Sequence, residues 1–173
     1  MKHHPLILIP LLAVGCASPH STHPIAREMR RVGVEPESFT IKDEDAQMGN
    51  AVTRARRTVG TFIAAVRNPT SGQRDFEVKK PFKQGEVTEH IWLSDVTYSG
   101  GRFHGKVDNK PRDIDGLKYG TRVSVNPNEI TDWAFVNNGE LVGGYTIRLL
   151  HNELSPERRV ELEKQLNCHI AQR

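Results

Sequence analysis

Apolar residues recur at steps of three and four between Met48 and Val66. Met48, Ala51, Val52, Ala55, Val59, Phe62, Ile63 and Val66 fall on one stripe of a helix predicted from Asp43 to Arg67. Asp43 is the expected N-cap, and Glu44 and Asp45 complement the dipole in the first turn. Asn68-Pro69 ends the helix and Ser71-Gly72 turns the chain. Arg54, Arg56 and Arg57 lie mostly off the stripe and read as a solvated face.

After Gly72 the period changes from 3.6 to 2. Phe76 and Val78 alternate with Glu77 and Lys79, and Pro81 closes a short strand of edge type. Val87, Glu89, Ile91 and Leu93 alternate with Thr88, His90, Trp92 and Ser94 in a longer strand. Val96 and Tyr98 continue on the other parity, which predicts a bulge at Ser94-Asp95. Gly100-Gly101 turns the chain into Phe103, Gly105 and Val107, and Asn109-Lys110-Pro111 breaks it. A turn around Asp115-Gly116 leads to a strand at Thr121–Val125, followed by a turn at Asn126-Pro127-Asn128. Ile130–Val136 and Leu141–Leu150 form a last hairpin around Asn137-Asn138-Gly139, with Gly143-Gly144 inside its second strand as a bulge or close approach. Ser155, Pro156 and Glu157 then start a short helix whose stripe is Val160, Leu162, Leu166 and Ile170, with Cys168 off it. The expected fold is α+β: a twisted antiparallel sheet of about six strands curling toward a small barrel, packed by a long N-terminal and a short C-terminal helix.

The start of the chain changes the picture from a plain domain to a tethered one. Lys2 precedes an apolar run, Leu6 to Val14, which is too short to span a bilayer at ~20 residues. Ala13-Val14-Gly15-Cys16 resembles a bacterial lipoprotein signal, although the motif favours leucine where Ala13 stands. That resemblance implies cleavage before Cys16, lipid attachment at Cys16 and anchoring in a bilayer by several acyl chains. Ala17, with no aspartate there, favours an outer-membrane lipoprotein facing the periplasm. The alternative is a secretory signal cut after Ala17, giving a soluble periplasmic protein. Residues 1–15 are then the signal peptide, 16–42 the lipid attachment and flexible tether, and 43–173 a single α+β domain. Removing the signal leaves about 158 residues, enough for one domain with a core. An acylated Cys16 leaves Cys168 without an intrachain disulfide partner; a retained Cys16 could bridge to it. A formal charge of +3 from 24 basic and 21 acidic residues is too small, and too dispersed, to indicate nucleic-acid binding.

A combination of segments carries a family resemblance. These are Ala51, Ala55-Arg56 and Phe62 on the first helix, Phe76-Glu77-Val78-Lys79, Glu89-His90-Ile91-Trp92-Leu93, Phe103-His104-Gly105 and Asn109-Lys110-Pro111. Ile130-Thr131-Asp132-Trp133 and Gly143-Gly144-Tyr145-Thr146 complete it. In this order they resemble the YegJ-like bacterial domain family, over roughly Asp43 to Leu150. The resemblance implies a helix-flanked antiparallel sheet. It implies no activity, so no catalytic role is carried over.

The candidate binding patch is Glu89, His90, Trp92, Asp132 and Trp133, with Asp95 nearby in sequence. Strand parity puts Glu89 and His90 on opposite faces, places Trp92 with His90, and splits Asp132 from Trp133. An imidazole at His90 oriented by Asp132 could serve as a general base, which makes a periplasmic hydrolase using His90 with Asp132 or Glu89 the enzymatic alternative. The chain has neither G-x-S-x-G nor H-E-x-x-H. Trp92 and Trp133 otherwise serve as packing residues, Asp132 bonds a turn backbone, and Glu89 needs a partner such as Arg or Lys. His20 and His23 sit in the tether, and His90, His104, His151 and His169 lie on separate elements without metal-ligand spacing. No metal or cofactor is expected. The leading expectation is a non-enzymatic envelope lipoprotein that binds a protein or another envelope component, immunity-type blocking of a toxin being one version.

Overall fold

The computed structural model describes residues 41–108 and 111–171. Residues 1–40, with the expected signal peptide, Cys16 and most of the expected tether including His20 and His23, and the Asn109-Lys110 break lie outside the described residues.

Two helices open the described chain, α1 (Ile41–Arg57) and α2 (Val59–Arg67), where periodicity predicts one. The interruption is at Thr58. Its hydroxyl bonds back to the Arg54 carbonyl at 2.7 Å, and Thr61 N–H bonds the Thr58 carbonyl in a tighter turn. Asp43 lies inside α1, so it is not the cap.

Six strands follow: β1 (Gln73–Gln84), β2 (Val87–Ser99), β3 (Arg102–Val107), β4 (Arg122–Val125), β5 (Asp132–Asn137) and β6 (Glu140–Gly143). They form one antiparallel sheet in the order β4-β3-β2-β1-β5-β6. The α+β expectation holds, but the sheet is open and does not close into a barrel. The predicted bulge is present: the β2–β3 register shifts between Ser94 and Thr97, with Asp95 at φ 51°. β1 departs from the sequence reading. It is a central strand and runs through Pro81 to Gln84. Pairing with β5 stops at Lys79, so the proline sits where that edge of β1 carries no ladder.

The largest correction concerns residues 145–150. They are helical, in α3 (Tyr145–Glu153), and not the second half of a hairpin strand. Gly143 and Gly144 take φ of 73° and 61° and turn the chain off the sheet. A Cβ at Gly143 would meet the Trp133 carbonyl and ring at about 2.5 Å, so only glycine fits there. Ile147, Leu150, His151 and Leu154 then form the buried stripe at helical spacing. The final helix α4 (Pro156–Leu166) starts at Ser155, whose hydroxyl accepts the Arg158 amide. Of its predicted stripe Leu162 is buried, Val160 is exposed and Ile170 lies beyond the helix end.

Both faces of the sheet are covered. One carries α2 and an aromatic cluster around Phe62, Phe103, Trp133 and Phe135. The other packs Trp92, Ala134 and Val136 against α3, α4 and the C-terminal Cys168 and Ile170. α1 reaches both clusters, with Met48 packed on the second and Ala55 buried in the first.

Candidate functional site

On the face under α3 and α4, the antiparallel register sets Asp132, Lys79 and Trp92 side by side on three adjacent strands. Lys79 is buried and its ammonium lies 5.4 Å from the centre of the Trp92 ring. It donates to Thr146 Oγ1 at 3.2 Å, and that hydroxyl donates to Asp132 Oδ2 at 2.7 Å. Asp132 also accepts the amides of Trp133, Tyr145 and Thr146 at 2.8–3.1 Å. Two of those amides belong to the first turn of α3, whose own N-cap is the side-chain-less Gly144. Asp132 thus caps α3 from a neighbouring strand and meets the positive end of its dipole. Burial pushes the Asp132 carboxyl up, against the opposing pull of the Thr146 hydroxyl and the Lys79 ammonium.

His90 and Trp92 share this face, as strand parity requires. His90 Nδ1 lies 3.0 Å from Thr131 Oγ1. Trp133 is on the opposite face, its indole N–H donating to the Ala55 carbonyl at 2.9 Å. Glu89 is also on that side and is buried, held by the amides of Arg112 and Asp113 at 3.0–3.2 Å. Its partners are backbone N–H groups of the loop after β3, where the sequence suggested a basic side chain. Asp95 stays at the exposed bulge, paired with Lys106 at 2.7 Å, which holds its carboxyl below the usual range. The five candidate residues are therefore divided between two faces, and His90, Trp92 and Asp132 are the three that share one.

Beside this polar row lies a cleft of about 780 Å³. Ala134, Val136, Leu141 and Ile147 line its apolar part, and Arg74, Asp75, Glu77 and Asp108 bring charge to it. Its far wall is the end of α4, with Gln165, Leu166, Asn167 and Cys168. The β1 bulge shapes the rim. Asp75 there takes φ 55°, its carboxylate pairs with Arg74, and Arg74 also donates to the Asn167 carbonyl. Cys168 is a free, buried cysteine, and burial pushes its thiol up.

Sequence reasoning missed Lys79, Thr146 and this cleft for a single reason. With residues 145–150 read as strand, the helix that covers these positions was absent from the expected fold, and they looked solvated. A usable signal was present: Trp133–Val136 is a continuous apolar run, and such runs mark strands buried on both sides.

The comparisons with known proteins agree with this domain. The chain is 34% identical over 119 residues to the uncharacterized protein YegJ of Escherichia coli (strain K12), covering 69% of this chain and 76% of that one. It is 32% identical over 131 residues to a putative ankyrin repeat protein of Neisseria meningitidis serogroup B. That match covers 71% of this chain but only 52% of the relative, so the chain spans about half of that protein. No solved structure matches. The family match spans residues 45–168, from within α1 to the end of the cleft wall, and the chain belongs to the bacterial family described as "Uncharacterized protein conserved in bacteria (DUF2314)".

Proposed function

We propose that this chain is an envelope lipoprotein, anchored through acylated Cys16 in the outer membrane, whose domain binds a protein or another envelope component in the cleft beside α4. The observation that carries the binding reading is the cleft itself: about 780 Å³, part apolar and part charged, between the sheet and the end of α4. Recognition sites take this mixed form, with apolar surface for affinity and a few polar groups for orientation. The anchor rests on the sequence of the first 16 residues, where Ala13-Val14-Gly15-Cys16 follows the short apolar run. The polar row supports binding over hydrolysis, because the Asp132 carboxylate is spent on capping α3 and on Thr146.

Two measurements test this reading. Wild-type protein is expected in the membrane pellet and in the detergent phase, and Cys16→Ser is expected to lose the lipid. A wild-type mature protein that is soluble and begins at Ser18 overturns the anchor. Affinity capture from solubilised membranes is expected to return a stoichiometric partner that Gln165→Trp no longer retains, since Gln165 is an exposed wall residue and a bulky ring there blocks the cleft. A partner retained equally by Gln165→Trp overturns the cleft as its site.

A further inference from the structure

The cleft wall is held by an arrangement of titratable groups that the sequence leaves on separate elements. Glu163 on α4 receives three groups at one oxygen: the Ile170 amide at 2.9 Å, His169 Nδ1 at 3.2 Å and His151 Nε2 at 3.3 Å. His151, on α3, is only 4% exposed, and its Nε2 is not aligned for a hydrogen bond with any partner among the described residues. His169 N–H bonds the Gly139 carbonyl at 2.8 Å, and Leu141 N–H bonds the His169 carbonyl at 2.9 Å, adding a short parallel bridge to β6. Arg148 also donates to the Ala171 carbonyl. The segment from Asn167 to Ala171 is therefore stitched to β6 and α3, and its first two residues are cleft wall.

We propose that His151, Glu163 and His169 form an acid-sensitive latch: proton uptake by His151 releases the segment 167–171 from β6 and opens the wall of the cleft. The charged groups facing His151 are Glu163 and Arg159 from α4 and His169 from the segment itself. An imidazolium at this position has little water. Glu163 attracts it, but the carboxylate is already shared with Ile170 and His169, while Arg159 and the His169 ring oppose it. Detaching the segment brings water to all of these groups at once. Consistently, burial is the largest influence on His151 and pulls its pKa below the ordinary histidine value. The sign follows from linkage. The released state binds the proton more readily than the closed state, so closure is fully favoured above the ordinary pKa and is lost as pH falls below it. What release does to a ligand rests on the cleft reading above; the release itself does not.

Hydrogen exchange on the full chain, corrected for intrinsic rates, tests the latch without any ligand. Between pH 7.5 and 5.5 the amides of Leu141, His169 and Ile170 are expected to lose about tenfold in protection, the factor for one linked proton with a released-state pKa of ~6.5. Amides in the paired centre of β1 and β2 are expected to keep theirs. In His151→Gln the three amides should show no pH dependence. Where that variant does not fold, the ring protons of wild-type His151 replace it, and release is expected at the pH where His151 titrates. Unchanged protection in wild type, equal loss across the sheet, the same pH dependence in His151→Gln, or a midpoint that follows His169 alone would each overturn the latch. Loss of the partner's dependence on Gln165 with the latch intact overturns only the cleft reading.

Discussion

The two faces of the sheet are built from the same strands and do different work. Under α2 the face is aromatic and dry: the Phe62 ring lies 5.4 Å from both Phe103 and Trp133 and 5.9 Å from Phe76, and Phe76 stacks on Phe135 at 5.1 Å. Under α3 and α4 the face mixes Trp92, Ala134 and Val136 with Lys79, Asp132 and Thr146, and opens into the cleft. Aromatic surface buried with few polar groups, Glu89 being one here, returns stabilisation at little cost. Buried charge returns little net stability, because desolvation offsets most of its attraction. The second face therefore gains less net stability from its charges than from the helix end that Asp132 caps. The proposed binding cleft and the proposed latch both lie on that face.

The sharpest way to break the comparison is at Phe62. Phe62→Ala removes the ring at the centre of the aromatic cluster and is expected to destabilise the fold by about 3–5 kcal/mol, read by denaturant unfolding. A loss below about 1 kcal/mol would mean the cluster repacks around the void and the dry face is no more critical than the wet one.

The dry face was largely legible from sequence, and the wet face was not. Phe62 announces its burial by standing on an eight-position stripe at helical spacing, and Val78, Ile91, Leu93 and Phe103 by strict alternation. Both are one-sided patterns that need no knowledge of the rest of the chain. Lys79 and Glu77 follow the same alternation on the other side, and alternation alone reads them as solvated. Their environment depends on α3, and α3 depends on two left-handed glycines and a cap supplied by Asp132, which is 13 and 14 residues from the amides it accepts. Short apolar runs do not separate strand from helix by periodicity. The bulge at Ser94-Asp95 was legible because a bulge flips parity, which is itself a pattern. The convergence of His151 and His169 on Glu163 was hidden for the same reason as α3 was: three local signals on three elements meet only in the packed structure.

The next test bears on the wet face. Asp132→Ala strips the cap from α3 and removes a carboxylate that attracts the buried Lys79 ammonium through Thr146. The expected cost is about 3 kcal/mol, near the lower end for a broken buried pair, since burial already disfavours the ionised carboxylate. The combined change Asp132→Leu with Lys79→Met is expected to recover much of that, because removing both charges removes both desolvation costs. If the double variant is as unstable as the single one, capping by Asp132 outweighs its attraction for Lys79.

The smallest expected effect is at Glu89, the buried acid on the dry side. Its carboxylate accepts the amides of Arg112 and Asp113 and so pins the loop after β3 to the aromatic face. Glu89→Gln keeps the size and one acceptor but removes the charge and turns an amide group toward a backbone donor. A loss of about 1–2 kcal/mol is expected, the difference between charge-assisted and ordinary hydrogen bonds to those donors. The loss should be local. Exchange of the Arg112 and Asp113 amides should accelerate, while the three latch amides keep their protection, because Glu89 holds the loop from the opposite face of the sheet. If Glu89→Gln also loosens Leu141, His169 and Ile170, the two faces are energetically one unit, and the division of labour between them fails.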